Sequence, residues 1–149
     1  MTKPHRDPQA TAELAARTMW AADEASRGLG ARLVAVGPGT ATLEMPVRRD
    51  MTNGHDTAHG GFIFALADST FAFACNSAGE TTVAAHCSIT YLRPAHLGDL
   101  LVATAREVES FGRSGIWDVT VRVGDTVVAE FRGHSRKIGG SFIDPPATV

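Results

Sequence analysis

The chain reads as an α+β domain in which about six mostly antiparallel strands curve around one long buried helix, with a further helix at the N-terminus. Three observations predict this. Residues 62 to 78 are almost unbroken apolar sequence, with Gly60 and Gly61 at the entrance and Gly79 just past the end, the pattern of a buried helix with a glycine stop. Before and after that segment the apolar residues recur with a period of two, as strands require. Turn signals at Gly37-Pro38-Gly39, Pro94 to Asp99, Gly112 to Gly115 and Gly124-Asp125 cut the alternating stretches into strand lengths. A helix apolar on most faces needs cover all round, and a twisted sheet supplies it.

The elements follow in order. Residues 1 to 6 are polar and read as flexible. Asp7-Pro8 is an N-cap with proline at the first helical position, and Ala-rich sequence then runs to Arg27, where Gly28 and Gly30 stop it. Leu14, Met19, Ala22 and Ala25 form its expected packing face. Leu33 to Val36 and Ala41 to Val47 make a hairpin, and the loop from Arg48 to Ala58 leads into the central helix. Four strands follow it, at Thr82 to Leu92, Leu100 to Ser110, Ile116 to Val123 and Val127 to Ile138. The tail, from about residue 141 to 149, reads as flexible. The whole, 1–149, is one domain without internal repeats.

Composition narrows the function. With 149 residues, 44% hydrophobic and 20% charged, the chain has the make-up of an ordinary globular protein. A formal net charge of -2 argues against a nucleic-acid partner, which favours a basic domain. The N-terminus lacks the apolar core of a signal peptide and no run reaches membrane-span length, so a cytoplasmic protein without a membrane partner is expected. Cys75 and Cys87 are expected to be free core thiols rather than a disulfide framework.

Chemistry concentrates in residues 53 to 79. Phe62, Phe64, Leu66, Phe71 and Phe73 spread around the helical wheel, so the helix is expected to be buried rather than amphipathic. One line differs, because Gly61, Ala65, Asp68, Ala72, Asn76 and Gly79 recur at helical spacing as a stripe of small residues with a carboxylate in its middle. A buried carboxylate is costly unless paired or neutral. Asp68 either accepts hydrogen bonds from Ser69 or Thr70 to hold the core in register, or is an acid placed in a cleft, where burial raises its pKa toward a useful range. The second reading is favoured by the helix start, where His59, Gly60 and Gly61 leave outward-facing amides at the positive end of the helix, suited to a developing oxyanion. Eight positions separate Gly60 from Asp68, about 12 Å along a helix. One carbonyl does not span that within one subunit, but two such helices antiparallel about a twofold axis would bring one chain's Asp68 to the other's Gly60.

Competing motifs fail. His55 and His59 have the spacing of a zinc helix, but Gly54 and Gly60 break any helix there and the essential Glu is missing, so no metal site is expected. Gly-Arg-Ser-Gly at 112 to 115 lies in a hairpin turn and is no nucleophile elbow.

The stretch NGHDTAHGG running into ALADSTFAFACNS, followed by ITYLRPAHLGD, FGRSGIWD and FRGHSRKIGG, resembles the hot-dog-fold acyl-CoA thioesterases, specifically the PaaI-type phenylacetate-pathway group, over nearly the whole chain after Met19. The resemblance implies the hot-dog fold and hydrolysis of acyl-CoA thioesters, with (hydroxy)phenylacetyl-CoA and related aryl substrates favoured. It also implies a homodimer with a continuous sheet and shared active sites, usually paired into a homotetramer, and no metal or organic cofactor. By position, Asp68 matches the family's catalytic carboxylate, Gly60 its oxyanion amide, His59 the His of its His-Gly-Gly, and Asn53 an Asn that helps hold the attacking water or the thioester. Tyr91, Arg113, Ser114, Gly115 and Lys137 match positions that bind the pantetheine and nucleotide of CoA; Arg93 and Arg136 join them on charge grounds. His59 either shapes the turn into the helix or polarises the carbonyl and orients Asn53. Two departures bear on the acyl group: Ala22 stands where some relatives carry Asn, and Ala84 where others carry Ser. The alternatives are a medium-chain or general acyl-CoA thioesterase, an enoyl-CoA hydratase on the same fold, and a non-catalytic acyl-CoA-binding protein.

Overall fold

The computed structural model describes residues 5–144. Helix α1 (Pro8–Ala22) starts where Asp7 accepts a 2.8 Å hydrogen bond from the Ala10 amide. It stops five residues before the expected end because Asp23 turns its carboxylate onto the Ser26 amide, 2.8 Å away, and caps a separate short helix, α2 (Glu24–Gly28). Short acidic side chains compete in this way with the helical backbone. The packing face is also shifted. Ala12, Ala15 and Ala16 are buried with Met19 and Trp20 packed beside them, whereas Ala22 and Ala25 are exposed.

Strands β1 (Arg32–Gly37) and β2 (Thr40–Pro46) form the first hairpin, and a 3₁₀ turn (Arg49–Met51) leads toward the central helix, α3 (Gly60–Cys75). Then come β3 (Glu80–Tyr91), β4 (Leu100–Phe111), β5 (Ser114–Val123) and β6 (Thr126–Ser141). The six strands make one antiparallel sheet in the order β1-β2-β4-β5-β6-β3, so β3 ends up on an edge. Inward residues alternate along β4 to β6, and Leu101, Ala103, Val119, Val121, Val128 and Phe131 close over Leu66, Phe71 and Phe73 of α3.

The central helix differs from expectation in length and in burial. It ends at Cys75, because Asn76 spends its side-chain amide on β3: Nδ2 donates to the Thr82 carbonyl at 3.0 Å and Oδ1 accepts from the Thr82 amide at 2.9 Å. Nor is it buried all round. Ile63, Leu66, Ala67, Thr70, Phe71, Phe73 and Ala74 are buried against the sheet, but Gly61 is exposed and Ala65, Asp68 and Ala72 are half-buried. From Gly61 to Ala72 the stripe of small residues is thus an open face of the helix, whereas its continuation at Asn76 and Gly79 is buried.

The last strand continues beyond the expected Ile138 to Ser141, through Gly139 and Gly140, both with φ near 90°. Ser141 pairs with Glu80, the Phe142 amide donates to the Gly79 carbonyl at 3.2 Å, and Arg6 meets Asp144 at 3.0 Å. The expected flexible ends otherwise fall at residues 1–4 and 145–149, outside the described residues.

Candidate active site

α3 runs antiparallel alongside β3 and touches it at three levels. Gly60 lies by Tyr91, Asp68 by Cys87, and Asn76 by Thr82. These contacts fix where each candidate group sits.

At the first level, His59 is the N-cap of α3. Its Nδ1 accepts the Gly61 amide at 3.0 Å, and its carbonyl accepts the Phe62 amide at 3.0 Å. The first helical amides cannot bond within the helix. Those of Gly61 and Phe62 are taken by His59, while the Gly60 N–H has no acceptor among the described residues. One open donor therefore remains, at the positive end of a 16-residue helix. The Gly60 carbonyl is fixed from the other side by the Tyr91 hydroxyl, which donates to it at 2.8 Å. A Cβ on Gly60 would lie 2.9 Å from Tyr91 Cζ, so the close approach of the ring demands glycine. Gly60, Tyr91 and Arg93 line one open cleft of about 520 Å³ with Thr57, Ile63 and Pro94. Arg93 donates Nη1 to the Val127 carbonyl at 2.8 Å, tying the cleft wall to the start of β6.

Asn53 is exposed and spends its Oδ1 inside its own loop, accepting from the His55 amide at 2.9 Å and from Thr57 Oγ1 at 3.0 Å. It holds the turn that delivers His59. His59 Nδ1 is an acceptor here, which leaves Nε2 as the ring's donor atom.

At the second level stands Asp68, half-buried, its carboxyl pushed above the usual carboxylate range by desolvation and pulled back in part by the Cys87 thiol, which lies 3.8 Å from Oδ1. Neither neighbour named from the sequence serves it. Thr70 Oγ1 donates to the Leu66 carbonyl at 2.7 Å, and Ser69 Oγ meets Ser26 Oγ at 2.9 Å. Cys87 is the contact that sequence reasoning missed; its alternation along β3 from Ile89 was the available signal, since both face the helix. Burial and the neighbouring Asp68 push the Cys87 thiol up to about 11, and burial pushes Cys75 to about 12, so neither is a thiolate nucleophile at neutral pH.

The remaining residues named from the sequence do not join the cleft in the single chain. Arg113, Ser114, Gly115, Arg136 and Lys137 gather at the β4–β5 hairpin and the facing part of β6, where the Lys137 amide donates to the Arg113 carbonyl at 2.8 Å. Arg136 pairs with Val83 and Tyr91 with Ala129, so the two groups lie eight residues apart along β3, about 26 Å at the usual strand rise. Lys137 meets Glu80 at 3.3 Å and borders a second cavity of about 470 Å³, whose wall includes Trp117 and Glu107. Gly115 is buried, and a Cβ there would fall 2.7 Å from both Ser135 Oγ and Trp117 Nε1, so packing alone explains that glycine. Among the described residues no group of three or more His, Cys, Asp or Glu is arranged to hold a metal ion.

The fold and its relatives define a class. Residues 55–130 match the thioesterase superfamily model, and the chain belongs to that family: it is a hot-dog-fold thioester hydrolase. The acyl-coenzyme A thioesterase PaaI of Escherichia coli K12 is 41% identical over 128 residues, 85% of this chain and 91% of that one. The structure of the E. coli PaaI protein from the phenylacetic acid degradation operon superposes with a TM-score of 0.88 at 38% identity, covering 91% of this chain and 99% of that one. The Streptococcus mutans protein smu.793, solved bound to acetyl-CoA, gives a TM-score of 0.71 at 28% identity over 74% of this chain and 90% of that one.

Proposed function

We propose that this protein hydrolyses acyl-CoA thioesters, with phenylacetyl-CoA and its hydroxy derivatives favoured, at sites shared between two protomers. The observation that carries the reading is the single unpaired amide of Gly60 at the start of the helix whose open face bears Asp68. The kinship to PaaI supports the aryl preference.

Two features support the shared site. The open stripe of α3 places Gly61, Ala65 and Asp68 where a second helix or a substrate can approach. Beside it runs β3, a 12-residue edge strand without Lys or Pro; long unprotected edges are apt to pair with another strand. Two protomers joined antiparallel through β3 reverse the order of the levels, turning one chain's Gly60 toward the other's Asp68. The same reversal carries Arg113 and Arg136 toward the other chain's Tyr91 and Arg93.

The thioester carbonyl accepts the Gly60 N–H, which stabilises the oxyanion as it forms; one such donor contributes roughly 100- to 1000-fold in rate. Asp68 of the second chain takes a proton from water as the new C–O bond forms, a general-base contribution of about 100- to 10,000-fold. The tetrahedral intermediate then expels the CoA thiolate, which receives the proton held by Asp68. Direct attack by Asp68 through an anhydride is the other route open to a carboxylate. No metal or organic cofactor is invoked.

The test is thiol release from a panel of aryl and straight-chain acyl-CoAs by the wild type and Asp68→Asn. Turnover fastest on aryl esters and lost in Asp68→Asn, with CoA still bound, is the expected result. Full activity of Asp68→Asn would sink the catalytic assignment; a wild type that binds CoA but turns over no ester would favour the hydratase or binding-protein readings.

A further inference from the structure

A general base must present one oxygen within hydrogen-bond reach of the water it activates. The torsion that turns an aspartate carboxylate has broad wells, so on an open helix face a neighbour has to hold it. Among the described residues the Asp68 carboxylate has a single hydrogen-bond partner, the Cys87 thiol at 3.8 Å from Oδ1, which leaves Oδ2 open. The register of β3 explains why this residue makes the contact. Cys87 lies opposite Gly133, and Ala84 opposite Ser135; opposite residues share a face of the sheet. That face is turned to α3, since a Cβ on Gly133 would meet Phe71 and Ser135 is buried. Ile89 and Ala84 have no side-chain hydrogen to donate, and His86 and Ser88 are exposed on the outer face. Cys87 is therefore the β3 side chain placed to serve Asp68.

We infer that Cys87 is a positioning residue, whose thiol holds Oδ1 of Asp68 and so turns Oδ2 toward the attacking water. The inference rests on the hydrolytic reading above and adds a residue that acts through the base rather than on the substrate. The thiol stays protonated, because burial and Asp68 push it up to about 11. Oδ2 takes the proton from water while the sulfur keeps its own. A thiol is also a weak donor. It fixes direction yet stabilises the carboxylate charge less than a hydroxyl would, which preserves basicity.

Few other charges act on the pair. Cys75, further along α3, is coupled to both groups and is itself held as a thiol. Asp23, in the turn before α2, is bound to Ser26 and reaches α3 only through Ser69. β6 offers Gly133 opposite Cys87, its Arg132 and His134 lying exposed on the outer face. In the proposed pair, His59 and Arg93 of the second chain come to the same level as Asp68.

The experiment is the pH profile of kcat and KM for one acyl-CoA in the wild type, Cys87→Ala and Cys87→Ser. Cys87→Ala should lower the kcat plateau about tenfold at unchanged KM, a part of the roughly 100- to 10,000-fold that a placed base contributes. Its acid limb should move up in pH, because a hydrogen bond to the ionised carboxylate is lost. Cys87→Ser should recover most of the plateau and move the limb down, because a hydroxyl donates more strongly. Plateaus and limbs that match the wild type in both variants overturn the proposal. So does an equal loss in both with the limbs unmoved, which would reduce the thiol to packing. The infrared S–H stretch gives a second reading that needs no turnover. The band lost in Cys87→Ala should rise in frequency in Asp68→Ala, and in the wild type as acid protonates Asp68; a band that stays in place overturns the proposal. If the wild type cleaves no ester, the hydrolytic reading fails, and the stretch alone decides whether the thiol holds the carboxylate.

Discussion

Asp68 carries the sharpest conflict between stability and activity. Its carboxyl is raised by burial, so the native state holds that proton more tightly than the unfolded chain does. The contribution to stability is therefore full below the unfolded carboxylate range and lost as pH rises through the raised native value. At neutral pH the ionised group is a net cost, and Asp68→Asn should raise Tm by a few degrees while abolishing turnover; scanning calorimetry at pH 7 and again at pH 4 checks this, with the advantage disappearing in acid. If Asp68 is the base of the proposed reaction, the same upward shift should move the acid limb of kcat/KM up in pH, since a base must be ionised to act. Which residues to propose was visible in the sequence, for a carboxylate amid apolar residues and a glycine pair at a helix start both break local rules. What touches them was not. That Cys87 rather than Ser69 meets Asp68, and that His59 takes the Gly61 amide and leaves Gly60's open, depends on the registry between α3 and β3.

Helices and strands follow from pattern more readily than their ends do. Period and turn residues placed all six strands in order, because the signals are local. The ends were set by contacts distant in sequence: Asn76 stops α3 by bonding Thr82, and β6 outruns Ile138 because Glu80 and Gly79 offer partners to Ser141 and Phe142. The seat of α3 on the sheet depends in turn on Gly133 of β6, where a Cβ would fall 2.7 Å from Phe71 Cζ. Phe71 is buried and also packs on Phe131, at 5.8 Å between ring centroids, so it has little room to yield. Gly133→Ala should destabilise the fold by about 1–3 kcal/mol, the usual cost of overpacking, read as a lower urea midpoint at an unchanged m-value. Pairing the alanine with Phe71→Leu should recover part of that loss.

At the scale of the molecule, the single chain holds the residues of the proposed site apart. The cleft at Gly60 and the cations at the hairpin lie at opposite ends of β3, and the open stripe of α3 faces outward between them. The sequence held a hint of this in the eight positions between Gly60 and Asp68. The distance separating Tyr91 from Arg113 and Arg136 was hidden, because it depends on β3 pairing with β6 at the sheet's edge rather than with a neighbour in sequence.

The spacing of Gly60 and Asp68 along one helix has a genetic consequence. When each reaction centre draws its amide from one chain and its carboxylate from the other, a hybrid of Gly60→Val and Asp68→Asn chains has one centre with both lesions and one with none. Two alleles, each null alone, would then complement each other in the same cell. Mixing the two purified dead variants under conditions that exchange subunits should restore thioester cleavage, and persistent silence from a verified hybrid would mean that each chain works alone.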